Sequence, residues 1–189
     1  MHRCKNATVS GSTLSLQTMN VMVFMGVSGC GKSTLAVAVA QALGCTMLEG
    51  DEFHPDTNQD KMAQGIALTD QDRVGWLATL GEQLHTQQVA NPHGVVLSCS
   101  ALKKSYRDTL RSYVPELRFV YLEISHATSL ARVAARASEH FFPATLVDNQ
   151  FATLESPSAE VGVLTVDATQ DLPTLVAQVL AWLNQPVAH

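Results

Sequence analysis

The amino-acid sequence predicts an α/β fold, one five-stranded parallel sheet sandwiched between two layers of helices. Two observations carry that expectation. From residue 20 onward, short apolar runs alternate with stretches of helical periodicity. The runs are also nearly continuous in apolar residues, as strands are when helices cover both faces of a parallel sheet.

The elements follow in order. Val21–Met25 (VMVFM) is the first strand, and Lys32–Leu43 (KSTLAVAVAQAL) is an alanine-rich helix stopped by Gly44. Thr46–Leu48 is the second strand. Thr69, with Asp72 three residues on, resembles a capping box opening a helix through about Gln87. Val95–Cys99 is the third strand, followed by a helix beginning near Ser100. Phe119–Leu122 is the fourth, with a helix from about His126 to Ala137. Val161–Val166 is the fifth, and Asp171 and Pro173 open a closing helix that turns Leu175, Val176, Val179, Leu180 and Leu183 inward. Residues 1–18 are polar, Ser/Thr-rich and aperiodic, and read as a disordered extension ahead of Met19. Arg3 and Lys5 hint at a targeting peptide, but no apolar stretch follows them. Residues 19–189 are expected to form a single domain.

Composition removes several function classes. With 46% apolar and 15% charged residues the chain can bury a core. No apolar run approaches the ~18–20 residues of a membrane span. A net charge of −5 argues against sequence-independent nucleic-acid binding, which needs an excess of Lys and Arg facing phosphates. Cys4, Cys30, Cys45 and Cys99 are scattered without a C-x-x-C pair, and the seven histidines show no ligand-like spacing. Neither a disulfide framework nor a zinc site is expected, and a reducing cytoplasm is the natural home.

The sharpest motif is Gly26-Val27-Ser28-Gly29-Cys30-Gly31-Lys32-Ser33, a full G-x-x-x-x-G-K-S between a strand and a helix. That context is what the phosphate-binding loop (P-loop) requires. Glycines let the backbone curl so that successive N–H groups face phosphate oxygens, and the helix N-terminus adds partial positive charge. Lys32 is placed to reach the β- and γ-phosphates, and the Ser33 hydroxyl to ligate Mg²⁺. Cys30 reads as simply a small residue of the loop, where alkylation should block ATP. No N-K-x-D guanine-reading motif and no LSGGQ signature is present. A small kinase or a nucleotide-dependent switch remains.

Glu49-Gly50-Asp51 follows the second strand, at the sheet edge where α/β proteins place ligands. Asp51 is the candidate to orient an attacking hydroxyl or accept its proton, with Glu49 nearer the metal. Lys103, Arg107 and Arg111 share one helix face by their i, i+4, i+8 spacing and suit an anionic acceptor, although a charged outer face is the alternative, for Arg111 above all and less so for Lys103 and Arg107. Lys104 and Asp108 read as a solvated pair. Arg132 and Arg136 lie on one face just before His140-Phe141-Phe142-Pro143, where cations can close over a triphosphate, neutralise transition-state charge and exclude water.

Taken together, M-G-V-S-G-C-G-K-S, E-G-D-E-F-H-P, K-M-A-Q-G-I-A-L-T-D-Q-D-R-V-G-W-L, C-S-A-L-K-K-S-Y-R-D and H-F-F-P…Q-F-A-T-L-E resemble the gluconokinases, small P-loop kinases related to shikimate kinase. The resemblance runs in order from about residue 20 to the C-terminus. It implies a P-loop NTPase-type fold and transfer of phosphate from ATP, with Mg²⁺, to the 6-hydroxyl of D-gluconate. The product, 6-phospho-D-gluconate, would feed the pentose phosphate or Entner–Doudoroff routes, and a homodimer is implied. Carried over by position, it makes Lys32, Asp51 and Arg132 catalytic and residues 26–33, Arg132 and Arg136 the ATP contacts. It places Asp51, His54, Arg73, Lys103, Arg107 and His140 around the sugar acid, and Ser33 and Glu49 at the metal. Asp70 and Trp76 also match family positions, although Trp76 suits the core equally. A lid is implied over about 132–150. Two positions depart from the family pattern: Glu49 stands where many relatives carry Asp, and the stretch from Arg136 to Phe141 lacks a glycine and is one residue longer.

Overall fold

A computed structural model describes residues 20–136 and 144–185. Its five strands are β1 (Asn20–Met25), β2 (Thr46–Glu49), β3 (Gly94–Ser98), β4 (Arg118–Glu123) and β5 (Val163–Asp167). They form one sheet in the order β2-β3-β1-β4-β5, and every pairing is parallel. All carboxyl ends therefore emerge along one edge, and β1 lies at the centre of it.

Two apolar layers fix the sandwich, and the two-residue period of a strand sorts β1 between them. Val21, Val23 and Met25 face one core with α3 (Asp70–Ala90) and α4 (Lys104–Tyr113), through Leu77, Leu80, Leu84 and Leu110. Met22 and Phe24 face the other with α1 (Lys32–Leu43) and α7 (Leu172–Leu183), through Leu35, Val39, Leu175 and Val179. Nearly continuous apolar strands are what such double coverage needs.

Local signals act where they were read. Gly44 ends α1 at φ 68, and Asp171 caps α7 by accepting from the Thr174 N–H. Thr69 and Asp72 complete a reciprocal capping box, after which α3 runs three residues past Gln87 to Ala90. Other boundaries shift by one or two residues: β3 ends at Ser98, and α5 (His126–Ala135) stops before Ala137. β5 covers Val163–Asp167 rather than 161–166.

The larger correction is at α4, which begins at Lys104 rather than near Ser100. Ala101 takes a left-handed φ of 42, uncommon for a residue with a side chain, and this breaks any helix through it. Three elements have no counterpart in the sequence reading: the 3-10 turn Gly50–Phe53, α2 (Asp56–Ala63) and α6 (Ala144–Thr153). Residues 1–18 and His140, with the middle of the expected lid, lie outside the described residues.

Candidate active site

The cradle begins where β1 ends. Gly26 has φ 143, and a Cβ there would lie 2.8 Å from the Leu122 carbonyl oxygen and 2.9 Å from Cys30 Sγ. Gly29 (φ 76) backs onto α5, where a Cβ would sit 3.0 Å from the Ser129 carbonyl oxygen. Gly31 (φ 97) caps the N-terminus of α1, and a Cβ there would meet nothing within 4 Å. Backbone packed tightly behind, with space against the helix N-terminus, is an arrangement that accommodates a phosphate chain. Lys32 Nζ donates to the Val27 carbonyl at 3.1 Å, folding its charge over the loop.

Three chain segments converge beside it. Ser33 Oγ lies 3.2 Å from Ser98 Oγ at the end of β3, and Ser98 is in register with Glu49 at the end of β2. Hydroxyl and carboxylate oxygens gathered next to a phosphate cradle fit magnesium, which takes one or two protein carboxylates and otherwise phosphates and water. Among the described residues no group of three or more His, Cys, Asp or Glu could hold a metal unaided.

Asp51 projects from the turn after β2. Gly50 just before it admits no side chain, since a Cβ would come within 2.5 Å of the Ser98 carbonyl oxygen. Trp76 Nε1 donates to the Gly50 carbonyl at 2.8 Å, and the indole stacks on His54 with ring centroids 4.1 Å apart. Trp76 thus belongs to both the core and the site wall. His54 is buried, and that burial pulls its pKa below the usual value, with neighbouring Arg73 adding to the effect and Asp51 opposing it. Asn58 Nδ2 approaches His54 Nδ1 at 3.4 Å while donating to the Asp72 carbonyl, an arrangement that puts the imidazole proton on Nε2.

Lys32, Asp51, His54 and Arg73 all line one cleft, with Ser28, Ser100 and Trp76. Arg73 is steadied by donating to the Leu68 and Thr69 carbonyls, 5.6 Å from the centre of the Tyr106 ring. The far wall comes from α6, whose Leu146, Asn149 and Gln150 share a face by i, i+3, i+4 spacing. Sequence reasoning assigned no role to Gln150, although it opens the Q-F-A-T-L-E run.

The basic stripe on α4 is redistributed. Arg107 is corrected from a substrate ligand to an internal anchor: its side chain is fully buried and all five N–H groups are engaged. Nη1 donates to the Ala101 and Leu102 carbonyls, Nη2 to the Glu155 carbonyl and Glu160, and Nε to the Glu160 carboxylate. Arg111 shares Glu160 at 2.8 Å and lies over the Phe119 ring. Both cations hold Glu160 below the usual carboxylate range against the opposing effect of burial. Lys103 lies outside the cleft lining, with Nζ 2.8 Å from both Asp70 oxygens, and that hydrogen bond raises its pKa. Tyr106 donates to the same carboxylate. Lys104 and Asp108 form the surface pair read from their spacing, at 2.6 Å.

On the lid side, Arg132 donates to the Ala168 carbonyl at 2.9 Å and to the Gly29 carbonyl at 3.4 Å. It thus touches the back of the cradle rather than the cleft. Arg136 is exposed at the end of α5.

A parallel sheet whose central strand runs into a phosphate cradle, with an aspartate and cationic side chains across one cleft, defines a small P-loop kinase. Residues 21–157 match the family model described as an AAA domain. The chain is 40% identical over 157 residues to the thermosensitive gluconokinase of Escherichia coli K12, covering 82% of this chain and 83% of that one. It is 46% identical over 145 residues to the gluconokinase of Gluconobacter oxydans, covering 77% and 80%. The crystal structure of a gluconokinase from Sinorhizobium meliloti superposes with a TM-score of 0.77 at 46% identity, over 85% of this chain and 89% of that one. The chain belongs to the gluconokinase family.

Proposed function

We propose that this protein transfers the γ-phosphoryl group of ATP to the 6-hydroxyl of D-gluconate, giving ADP and 6-phospho-D-gluconate. The observation that carries the reading is the single cleft into which Lys32 of the cradle and Asp51, His54 and Arg73 of the opposite wall all open. Asp51 takes the proton of the 6-hydroxyl as that oxygen bonds the γ-phosphorus and the bond from phosphorus to the β–γ bridging oxygen breaks. Lys32 offsets charge on the phosphoryl oxygens as it moves. Arg73 suits the sugar acid's carboxylate, and neutral His54 offers an Nε2–H donor to a hydroxyl. Ser33 and Glu49 would hold Mg²⁺, which supplies charge neutralisation between the phosphates.

The same proposal gives Arg132, Arg136 and His140 to the lid, with Arg132 and Arg136 approaching the triphosphate on closure and His140 serving the sugar-acid side. It also includes a homodimer in the cytoplasm, which light scattering on the purified protein and cell fractionation would test. Among the described residues no helix is long and apolar enough to cross a membrane.

The direct test is ADP release over a panel of acceptors: gluconate, other aldonates, shikimate, adenylylsulfate and nucleoside monophosphates. Robust turnover is expected with gluconate. Turnover on another acceptor with none on gluconate would overturn the reading.

A further inference from the structure

Ser28, the third residue of the cradle, is gripped on both sides of its peptide framework. Its carbonyl accepts from Ser129 Oγ of α5 at 2.8 Å, and its N–H donates to Gln150 Oε1 of α6 at 2.6 Å. The second contact joins residues 122 positions apart. It also fixes which way the Gln150 carboxamide points. Turning it over would set an NH₂ group against an N–H, so the oxygen stays on Ser28 and Nε2 is directed elsewhere. Among the described residues Nε2 meets no hydrogen-bond acceptor, and Gln150 lines the cleft with Lys32, Asp51, His54 and Arg73.

α6 holds this side chain on a firm base. Leu146 and Val147 are buried, and Phe151 packs into the α1 core and sets its ring edge against His126, with centroids 4.9 Å apart. A side chain half-buried and carried on a helix is a precise place from which to offer a donor. Its chemistry differs from the cations around it. Lys32 and Arg73 suit phosphate and carboxylate oxygens, whereas a neutral N–H pair suits the oxygen of a hydroxyl.

We propose that Gln150 is a specificity residue bridging the two halves of the site: Oε1 holds the Ser28 amide of the cradle while Nε2 donates to one hydroxyl of the acceptor's polyol chain. One carboxamide then sets the spacing between the phosphate-donating loop and the acceptor. The inference rests on the proposed gluconate kinase reading, which assigns nothing to Gln150.

Two variants separate the halves of this role. Gln150→Glu keeps an oxygen for the Ser28 N–H but replaces the donor. Gln150→Met keeps the length and loses both. For Gln150→Glu, kcat/KM for gluconate at saturating ATP is expected to fall tenfold or more. Gln150→Met should lose gluconate efficiency to a similar degree and weaken ATP as well. At saturating ATP, one of a set of monodeoxy gluconates should be used equally well by wild type and Gln150→Met, and that analogue identifies the hydroxyl being read. Wild-type gluconate kinetics in Gln150→Glu, or equal losses across every deoxy analogue, would overturn the proposal and leave Gln150 as a brace for the loop. Failure of the gluconate reading shows separately, as a wild-type enzyme that turns over only another acceptor. The same variants are then compared on that acceptor, and turnover on none removes both inferences.

Discussion

The two walls of the cleft are built in opposite ways. The cradle is eight consecutive residues whose working groups are largely backbone N–H, curved by three glycines with positive φ. The facing wall gathers side chains from the turn after β2, from α3 and from α6. Contiguous backbone chemistry needs only local conformation. A wall of side chains needs each supporting segment to arrive at its place, so its fate is tied to the fold's stability.

Arg107 should break the comparison hardest. As an anchor, its replacement by Met leaves Glu160 without its principal buried partner and strands the Ala101 and Leu102 carbonyls. The free energy of unfolding is expected to fall by about 3–5 kcal/mol in chemical denaturation. Wild-type stability combined with a raised KM for gluconate would return Arg107 to the acceptor site.

The two sides can next be separated by chemistry. Lys32→Ala and Asp51→Asn should each lower kcat by roughly a hundredfold or more. Only the lysine variant should also weaken ATP in calorimetry, since the proposed mechanism assigns Asp51 to the acceptor. Near-normal turnover in Asp51→Asn would remove it from proton transfer. Arg73→Ala is expected to raise the KM for gluconate by about tenfold or more with ATP affinity little changed, the loss of a charged hydrogen-bond donor to a carboxylate.

Acid is a gentler probe of the same wall. His54 has its pKa lowered in the folded protein, so the unfolded chain binds the proton more readily and stability rises with pH between the folded and unfolded values. The loss should set in as pH falls below ~6.5, the ordinary histidine value, and deepen until the lowered pKa is passed. Denaturation midpoints across pH 5–8 should fall less steeply on the acid side in His54→Phe, which keeps a ring to stack on Trp76. An unchanged slope would mean His54 takes up its proton as readily in the native protein as in the unfolded chain. The smallest effect belongs to Asp72, whose carboxyl is held at about 2 by hydrogen bonds first from Lys61 and then from Thr69. A carboxyl titration followed by NMR should find it well below its neighbours, and any contribution to stability fades as pH drops from about 4 towards 2.

Legibility in the sequence follows this division. The apolar run of β1, the glycine spacing and the helix after them are local signals, and the structure places them as read. Arg107 and Arg111 share a face of α4, but both turn to Glu160, about fifty positions away, while Lys103, at the N-cap, pairs with Asp70; no helical period can report either partner. The late start of α4 has the same origin, because the Ala101 and Leu102 carbonyls are satisfied by the Arg107 guanidinium instead of by helix N–H groups. α2 was missed since its sequence, DTNQDKMA, has almost no apolar period. It is held by polar ties, Asn58 to the Asp72 carbonyl and Lys61 to the Asp72 carboxylate at 2.7 Å. α6 carries Leu146, Val147 and Phe151 in a helical pattern, the signal that would have located it and, with it, Gln150.

The saturated guanidinium of Arg107 also sets an order of events during synthesis. A nascent chain that has emerged as far as β4 already contains the whole phosphate loop, its helix and the strands on either side. It still lacks the Glu155 carbonyl and the Glu160 acid, so a cation destined for the interior has nothing to neutralise it. The segments around the phosphate loop can therefore pair early on the ribosome, while the burial of Arg107 must wait until residues 155–160 have been made.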